Sequence, residues 1–413
     1  MSCCGRDPAG DRFPYSKMQK IKLLTFSTLY PNAVQQRHGI FVETRLRHLL
    51  AGGEVQSRVL APVPWFPLKQ AVFGEYASYA RVPARERRFD IDIQHPKFLR
   101  IPKIGMTLAP MLMAAALYPA SRAVIKDGYD FDIIDAHYFY PDGVAAALIA
   151  GKLGKPFTIT ARGTDLNLIP RYLLPRKMIQ WAAGRADALI TVCQALKDAL
   201  VALDVPEDKV TVLRNGVDLE LFQSIDRESM RERLGIHRVT LLSVGHLIKR
   251  KAHDIPIRAL KLLPEVELFI AGDGEEERAL KELANSEGVA HRVRFLGPIP
   301  QKELKNYYGA VDALVLASSR EGWANVLLES MACGTPVIAS NVWGTPEVVA
   351  APEAGVLMRE RTPEALAEAC RELLAHYPDH AATRRYAEGF SWDETTRGQV
   401  RIFSRIIEGR KAK

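Results

Sequence analysis

The sequence lacks several of the patterns that assign a chain to a class at first sight. Five cysteines, an odd number, occur among 413 residues, with no CxxC pair and no Cys/His spacing. A disulfide framework and a structural zinc site are therefore not indicated, and a reducing cytosol suits this cysteine usage. The glycine-rich GxGxxG fingerprint of dinucleotide-binding proteins is also missing.

No secretory signal is visible, because residues 1–20 are polar and lack an apolar core. We expect these residues to form a disordered tail. Residues 104–125 are apolar over nearly the length of a bilayer span, but they include Pro110, Pro119 and Arg122 and are rich in alanine rather than leucine. This composition predicts a helix within or at the border of a globular domain, able to touch lipid, and not a membrane span.

The chain is basic, with a net charge of +8, which suits anionic partners such as a nucleotide, a phospholipid surface or nucleic acid. Nucleic acid is not favoured, because no recognisable motif and no basic surface interleaved with aromatic residues occurs. Residues 81–103 hold seven Lys or Arg against three acids. They form either a solvated loop or a functional patch. Beside the apolar run, they favour an edge that rests on an anionic membrane.

A chain of 413 residues with 47% hydrophobic content is long enough for two domains, each with its own core. In the first half, predicted strands alternate with helices. These strands cover residues 21–27, 132–137, 157–161, 188–193 and 210–214. In a doubly wound parallel sheet, loops at the carboxyl ends of strands line the ligand crevice. We therefore expect His137, Arg162, Asp165 and Asn215 on one rim, with Gly39 allowing a ligand to approach the backbone.

The second half repeats the alternation, and its strands are predicted over residues 239–244, 267–271, 293–296, 314–318 and 337–340. We expect an N-terminal domain over 21–218, a C-terminal domain over 219–390 and a final helix over 391–413. Ser391 and Glu394 have the spacing of a capping box at the start of that helix.

The stretch from Leu314 to Glu347 contains the clearest candidate for a functional site. It reads as a buried strand, a polar loop, a helix from about Asn325 and a second strand, with Asn325 as the helix cap and Gly334 as its left-handed stop. A loop that follows a strand and opens a helix directs free N–H groups at one point, which makes a site for an anion such as a diphosphate. Two acids, Glu321 in the loop and Glu329 in the helix, flank that point.

Residues 321–337, EGWANVLLESMACGTPV, resemble the signature of retaining, nucleotide-sugar-dependent glycosyltransferases of family four. Two glutamates separated by seven residues would be a weak sign alone, but Gly322, Asn325, Gly334 and Pro336 accompany them. The alternative is an ordinary strand–helix–strand unit with two solvated acids. The resemblance implies an α/β protein of the GT-B fold, in which two Rossmann-like domains face each other across a cleft and the last helix crosses back onto the first domain.

The resemblance also implies a reaction, in which a sugar moves from a UDP- or GDP-sugar to a hydroxyl of a lipid-linked or saccharide acceptor with its anomeric configuration retained. No metal or other cofactor is expected. Lys251 matches the family lysine that grips the donor diphosphate. Glu321 would hold the transferred sugar and Glu329 would accept the ribose hydroxyls. His137 would act on the acceptor side as a third catalytic residue, next to Glu321 and Lys251.

By the same resemblance, further residues are expected around the donor. They are Gly39, Gly245, His246, Arg250, Gly272, Asp273, Gly322, Trp323, Ala324, Asn325 and Val326, whereas Arg162, Asp165 and Asn215 are expected on the acceptor or sugar side. The chain departs from the family pattern at His246, where an arginine is usual, and at Ala324, where a glycine is common. It also has Arg162 where many relatives have histidine; a negatively charged donor or acceptor would explain that exchange.

Three other functions fit some of these features. A sugar-nucleotide epimerase of the same fold would use the donor without an acceptor. A scaffold protein with an inactive site would bind nucleotide without turnover, and the departures at His246, Arg162 and Ala324 allow this. Nucleic-acid binding is supported by the positive charge alone. The transferase, in cell-envelope or exopolysaccharide synthesis at the inner face of the cytoplasmic membrane, remains the leading prediction.

Overall fold

The structure is a computed structural model, and it describes residues 20–68, 70, 75–100 and 105–412. The predicted tail therefore lies almost wholly outside the described residues. Within them the chain forms two separate large sheets and one two-stranded ribbon.

The first sheet has eight strands in the order β10-β9-β8-β7-β1-β2-β5-β4, and every neighbouring pair except β4–β5 is parallel. Its strands, with those of the ribbon β3–β6, are β1 Ile21–Phe26, β2 Val55–Leu60, β3 Val63–Pro64, β4 Arg85–Arg88, β5 Ile91–Gln94, β6 Lys97–Phe98, β7 Ile133–His137, β8 Phe157–Ala161, β9 Ala188–Thr191 and β10 Val210–Val212. The helices of this half are α1 Ile40–Ala51, α2 Glu75–Arg81, α3 Gly105–Lys126, α4 Val144–Leu153, α5 Thr164–Asn167, α6 Leu173–Arg185 and α7 Gln194–Val201.

The second sheet has six parallel strands in the order β13-β12-β11-β14-β15-β16. They are β11 Val239–Val244, β12 Val266–Ala271, β13 Val293–Gly297, β14 Ala313–Leu316, β15 Val337–Ser340 and β16 Gly355–Met358. The helices are α8 Arg227–Leu234, α9 Asp254–Ala259, α10 Glu277–Ser286, α11 Gln301–Ala310, α12 Asn325–Ala332, α13 Thr345–Val348, α14 Pro363–Ala375, α15 His380–Glu388 and α16 Trp392–Lys411.

The central strands of both sheets are buried along their whole length, which is why they read as nearly continuous apolar runs. The final helix α16 leaves the second half of the chain and packs on α1 of the first. Phe403 of α16 is fully buried in one apolar cluster with Leu46 and Leu49 of α1. The domain boundaries at 218 and 390 themselves stay predictions.

The described part of the basic stretch, residues 81–100, is not a solvated loop. It forms the antiparallel hairpin β4–β5, at the edge of the first sheet, and strand β6. Arg88 donates two hydrogen bonds to the carboxylate of Glu43 on α1, at 2.7 and 3.2 Å. Part of the positive charge that the sequence offers for a partner is therefore neutralised within the domain.

Helix α3 corresponds to the predicted apolar run. By length and composition alone it is able to cross a membrane, and 28% of its most apolar window is buried. Its buried positions Met113, Leu117, Ser121 and Val124 recur at helical spacing, so one stripe faces the domain. The helix borders the N-terminal domain, in agreement with the sequence prediction.

Two predicted helix caps do not form. Ala324 occupies the N-cap position of α12 and Asn325 is the first helical residue, because the Asn325 side chain is engaged elsewhere, as described below. Ser391 precedes α16, but its hydroxyl makes no capping hydrogen bond. The predicted stop at Gly334 is confirmed, since this residue has φ of 86°, in the left-handed region.

Candidate functional site

Lys251 and Glu321 form the centre of the site. Gly245 follows strand β11 with φ of 149°, and a Cβ atom there would lie 3.3 Å from the Lys251 side chain, so glycine leaves room for the lysine. The lysine Nζ donates to Glu321 Oε1 at 2.6 Å, and Arg250 Nη1 donates to the same oxygen at 3.3 Å. Burial alone would raise the pKa of Glu321, but the charges of Lys251 and Arg250 outweigh it and hold this pKa below its usual value.

Glu329 lies on α12, about one turn inside the helix. Its carboxylate accepts hydrogen bonds from Gln301 Nε2 and from the Tyr308 hydroxyl, each at 3.0 Å. Burial raises the pKa of Glu329, and the two hydrogen bonds oppose that effect. Because both donors come from α11, the acid is held in one orientation before any ligand binds.

Glu329 also lines a small cavity of about 40 Å³ between the two halves of the chain. Residues of the first half form one wall, namely Ile40, Phe41, Thr44, Gly216, Val217 and Asp218. Residues of the second half, Gln301, Asn325 and Glu329, form the other, with Trp392 of α16. Glu321 and Lys251 are not part of this lining. Glu321 is the first residue of the segment 321–329, and Lys251 contacts it there.

Asn325 connects the two halves. Its Oδ1 atom accepts a hydrogen bond from Asn215 Nδ2, at 3.2 Å. This contact uses the side chain that the sequence assigned to capping α12. Val326, the next residue, is half-buried, and its contact with the donor stays a prediction.

The loop before α12 packs closely on the turn after β8. A Cβ atom on Gly322 would lie 2.0 Å from the Arg162 carbonyl oxygen, so only glycine permits this approach. Trp323 is buried beside Phe390 and Arg214, with its ring 6.0 Å from the Phe390 ring, and Ala324 is buried next to it. Gly322 and Trp323 therefore serve the contact between the two halves of the chain, a role that the sequence did not indicate.

Gly39 and Gly272 also allow close contacts between two segments of the backbone. A Cβ atom on Gly39 would lie 2.3 Å from the Leu29 carbonyl carbon, and one on Gly272 would lie 1.9 Å from the Gly245 carbonyl oxygen. The sequence assigned Gly39 to the approach of a ligand. Its closest neighbour is instead the chain's own backbone, in the loop that follows β1.

Asp273, in the turn after β12, reaches the other half of the chain. Its carboxylate forms a 3.2 Å ion pair with Arg37, in the loop after β1, and lies 3.7 Å from His246 Nδ1. All three side chains are substantially exposed. Asp273 and His246 thus stand at the mouth of the gap between the two halves.

His137 is buried rather than open to the cleft. Its Nε2 lies 3.0 Å from Asp135 Oδ2, and its Nδ1 is 2.5 Å from Arg162 Nη2. Burial lowers the pKa of His137 to about 4, so the ring is neutral near pH 7, with Nδ1 free to accept from Arg162. The two ring nitrogens face Asp135 and Arg162, so His137 helps to position the Arg162 side chain. A catalytic role of His137 stays a prediction.

Asp165 is likewise turned inward. Its two oxygens accept from the backbone N–H groups of Phe139, Arg162 and Gly163, at 2.6 to 3.1 Å. These bonds fix the turn at the end of β8, although burial raises the pKa of the acid. The carboxylate holds the turn that carries Arg162, and a contact of Asp165 with a sugar stays a prediction.

Two acids that sequence reasoning missed help to build the site. Buried Asp142 accepts from the main-chain N–H and hydroxyl of Thr28, and burial raises its pKa to about 8. Glu347 accepts from the N–H groups of Gln194 and Ala195, at 2.7 and 3.2 Å, and from Arg214 at 2.8 Å. It thereby caps α7 of the first half from α13 of the second. The sequence Thr345-Pro346-Glu347, with its proline, by itself indicates only the start of a helix.

A larger open depression of about 710 Å³ is formed by residues of α9, α10 and α14, and it contains none of the predicted site residues. We place the site at the gap between the sheets, because the carboxyl-end loops and the charged pairs meet there. In the part of the chain that the structure describes, no group of three His, Cys, Asp or Glu side chains is arranged to hold a metal ion. Metal-free chemistry stays a prediction.

Two parallel, helix-covered sheets with their loops converging on one gap define the GT-B class of glycosyltransferases, and comparison with solved structures agrees. Sucrose-phosphate synthase from Thermosynechococcus elongatus aligns over 95% of this chain and 100% of its own, with a TM-score of 0.75 at 19% identity. The Anabaena protein HepE in complex with UDP-glucose aligns over the same shares, with a TM-score of 0.69 at 18% identity. The predicted fold class is confirmed.

The chain belongs to the group 1, family four glycosyltransferases. The model of glycosyl transferases group 1 matches residues 226–390, and that of Glycosyltransferase Family 4 matches residues 79–221. D-inositol 3-phosphate glycosyltransferase of Frankia alni is 33% identical over 310 residues, which are 68% of this chain and 76% of that protein. TuaC of Bacillus subtilis, named for teichuronic acid biosynthesis, is 27% identical over 84% of this chain and 88% of its own.

Proposed function

We propose that this glycosyltransferase moves a hexose-type sugar from a UDP- or GDP-sugar to an acceptor hydroxyl with retention of configuration. The observation that carries the proposal is the segment 321–329. It places Glu321 against Lys251 at one end and Glu329 in the cavity between the two halves at the other. One rigid loop and helix turn thus present a cation-paired acid and a preoriented acid to the same gap.

The chemistry follows from charge. As the bond between sugar and diphosphate breaks, negative charge grows on phosphoryl oxygens, and a fixed cation offsets it. The ammonium group of Lys251 has three donors, so it can keep Glu321 and still bind a phosphoryl oxygen. The backbone N–H groups of residues 322–326, at the start of α12, would stabilise the same negative charge. The departing phosphate takes the acceptor proton on the same face of the sugar, and no separate general base is needed.

Glu329 would select the nucleotide. A carboxylate has about four acceptor positions, and Gln301 and Tyr308 occupy two of them. Two remain for the paired hydroxyls of a ribose. The proposal requires no metal, because Lys251 and Arg250 share one acid, Glu321, and so leave a net positive charge beside the diphosphate position.

We also propose a peripheral membrane contact for the N-terminal domain, at the cytoplasmic face, with a lipid-linked or saccharide acceptor. The support is a surface that we call the apolar edge, formed by neighbouring segments of β3, β6, α3 and α6. Its exposed side chains are Trp65, Leu68, Leu99, Met106, Leu108, Met111, Tyr172, Leu173 and Leu174. Exposed Arg171, Arg176 and Lys177 surround its α6 end, and α6 contains no acid. Apolar side chains with basic neighbours suit an anionic lipid surface.

The names of the relatives fit this setting. One group is named for inositol 3-phosphate, and TuaC is named for teichuronic acid biosynthesis. We therefore place the reaction in the synthesis of envelope or exported polysaccharide, or of a related glycoconjugate.

The first test is thermal stabilisation by a panel of UDP- and GDP-sugars, because a ligand that binds the folded state raises the melting temperature. The stabilising donor is then incubated with labelled sugar, with and without saccharide and lipid-linked acceptors. Labelled glycoside formed only with acceptor supports the transferase. Epimerised nucleotide sugar formed without acceptor would identify an epimerase, and binding without turnover of any kind would identify a scaffold.

A further inference from the structure

Two buried arginines lie side by side at the carboxyl edge of the first sheet. Arg45 of α1 is 1% exposed, and Arg162, at the end of β8, is 8% exposed. Arg45 donates to Gln399 Oε1, to the Leu213 carbonyl and to Asn215 Oδ1, at 2.9 to 3.3 Å. Arg162 donates to the same Asn215 oxygen at 3.2 Å and to His137 Nδ1. Every one of these acceptors is neutral.

The nearby carboxylates do not contact either guanidinium. Asp135 Oδ1 accepts from Thr158, and Asp135 Oδ2 lies 3.0 Å from the neutral His137 ring without a hydrogen-bond partner. Asp165 accepts from backbone N–H groups. The charge of Asp135 raises the pKa of both arginines from a distance, but one such charge does not balance two guanidinium groups. Within the described residues neither guanidinium forms an ion pair, and Arg162 Nε and Arg45 Nη2 have no hydrogen-bond partner. Burial and then the charge of Arg45 lower the pKa of Arg162, although Asp135 and Asp165 oppose that effect. An arginine nevertheless keeps its charge in a protein, and a buried N–H without an acceptor is costly.

This pair borders the gap in which the proposed reaction takes place. The Arg162 main chain lies against Gly322, the residue after Glu321. The Arg162 guanidinium stands 5.6 Å from the ring of Phe41, which lines the cavity between the two halves. Asn215 connects both arginines to Asn325, which also lines that cavity.

We propose that Arg162, held by His137 and Asn215 and backed by Arg45, binds an anionic substituent of one of the two sugar substrates. A carboxylate or a phosphate fits, because a planar guanidinium with a free N–H offers paired donors to such oxygens. The substituent either replaces the primary hydroxyl of the donor sugar or lies on the acceptor. This inference rests on the proposed function and names the substrate class for it.

Matched ligands test the proposal without any mutation. UDP-glucuronic acid and UDP-glucose differ only in a carboxylate, and inositol 3-phosphate and inositol differ only in a phosphate. We expect one anionic member to bind at least about tenfold more tightly than its neutral counterpart, as a charged hydrogen bond requires. Preference within the donor pair assigns the charge to the transferred sugar, and preference within the acceptor pair assigns it to the acceptor.

Variants then attribute the preference to Arg162. Arg162→Gln and Arg162→His remove the permanent charge, and we expect the ratio of anionic to neutral affinity to fall about tenfold. Arg162→Lys keeps the charge and should recover part of that ratio. Arg278→Gln, at an exposed arginine of α10, is the control and should leave the ratio unchanged.

Equal affinity for both members of both pairs in the wild-type protein would overturn this inference, and so would an unchanged ratio in a folded Arg162→Gln protein. The proposed function would survive either result, since a neutral UDP-sugar would still bind and react. Failure to bind any nucleotide sugar would instead remove the proposed function, and the inference with it.

Discussion

The Lys251 amine and the Glu321 carboxylate lie 2.6 Å apart, although 70 residues separate them in the chain. The lysine assigned to the diphosphate therefore also holds the acid assigned to the sugar. Replacing Lys251 by Ala should lower kcat/KM about 100-fold, because a fixed charge at the leaving group is lost.

The control for this change is Lys249→Ala, on the same short turn, where the side chain is exposed. Steady-state kinetics with the stabilising donor give the comparison. If Lys251→Ala leaves both donor affinity and rate unchanged, the lysine has no part in diphosphate binding.

The lowered pKa of Glu321 makes its contribution to stability depend on pH. A carboxylate with a folded-state pKa below its usual value of 4.5 stabilises the protein fully above that pH. The contribution is lost as pH falls through the lower, folded-state pKa. The melting temperature of wild type minus that of Glu321→Gln should therefore be larger at pH 7 than near pH 3. A difference that grows towards acid would contradict the pairing with Lys251 and Arg250.

Substitutions at Glu321 and Glu329 should have different effects, one on turnover and the other on nucleotide binding. Glu321→Ala should mainly slow turnover, whereas Glu329→Ala should weaken nucleotide binding about tenfold or more by removing the proposed ribose acceptors. Calorimetric titration with UDP or GDP measures the second effect. Tyr308→Phe removes a partner of Glu329 but no proposed ligand contact, so it should weaken binding much less. Equal losses in the two variants would show that Glu329 acts only through its buried hydrogen bonds.

Glu347 should control the docking of the two halves. Glu347→Gln removes the charge that caps α7 and pairs with Arg214, each contact being worth about 1 to 2 kcal/mol. We expect a larger radius of gyration in solution scattering and a raised donor KM. Glu364→Gln, an exposed first-turn acid of α14, provides the matched control. Identical scattering from the two variants would exclude a docking role.

The apolar edge should carry the membrane contact. Leu173→Asp and Leu174→Asp place charges on its most exposed leucines, so both should reduce cosedimentation with vesicles containing anionic lipid. Leu262→Asp, at an exposed leucine of the other half, should bind vesicles as wild type does. Equal vesicle binding by all three variants would remove this surface from the proposal.

Several elements could be read from the sequence because their causes are local. Helix α12 begins at the predicted residue 325, and strand β15 spans the predicted 337–340. Gly334 has the left-handed conformation that a helix stop requires. Strands β4 and β5 were not foreseen, since Arg85–Arg88 carries three arginines and lacks the apolar pattern of a buried strand.

The roles of individual side chains were harder to predict. His137 lies with Arg162 and Asn215 on one rim, as the sequence predicts, but it is buried between Asp135 and Arg162. Asn325 was expected to cap its own helix, but it bonds Asn215 of the other half. The burial of His137 and the contact of Asn325 have one cause: a local pattern states which bonds a side chain can make, whereas the packing of distant segments decides which it does make.

The sequence by itself determined the alternation of strands and helices, because hydrophobic period and turn chemistry act over a few residues. It also contains the family motif, and the resemblance of that motif implied the GT-B fold. Only the tertiary structure decided that Lys251 holds Glu321, that Glu347 caps a helix of the other half and that Arg45 stands behind Arg162. These relationships join segments far apart in the chain. Their charges meet because burial of the two cores brings the loops together.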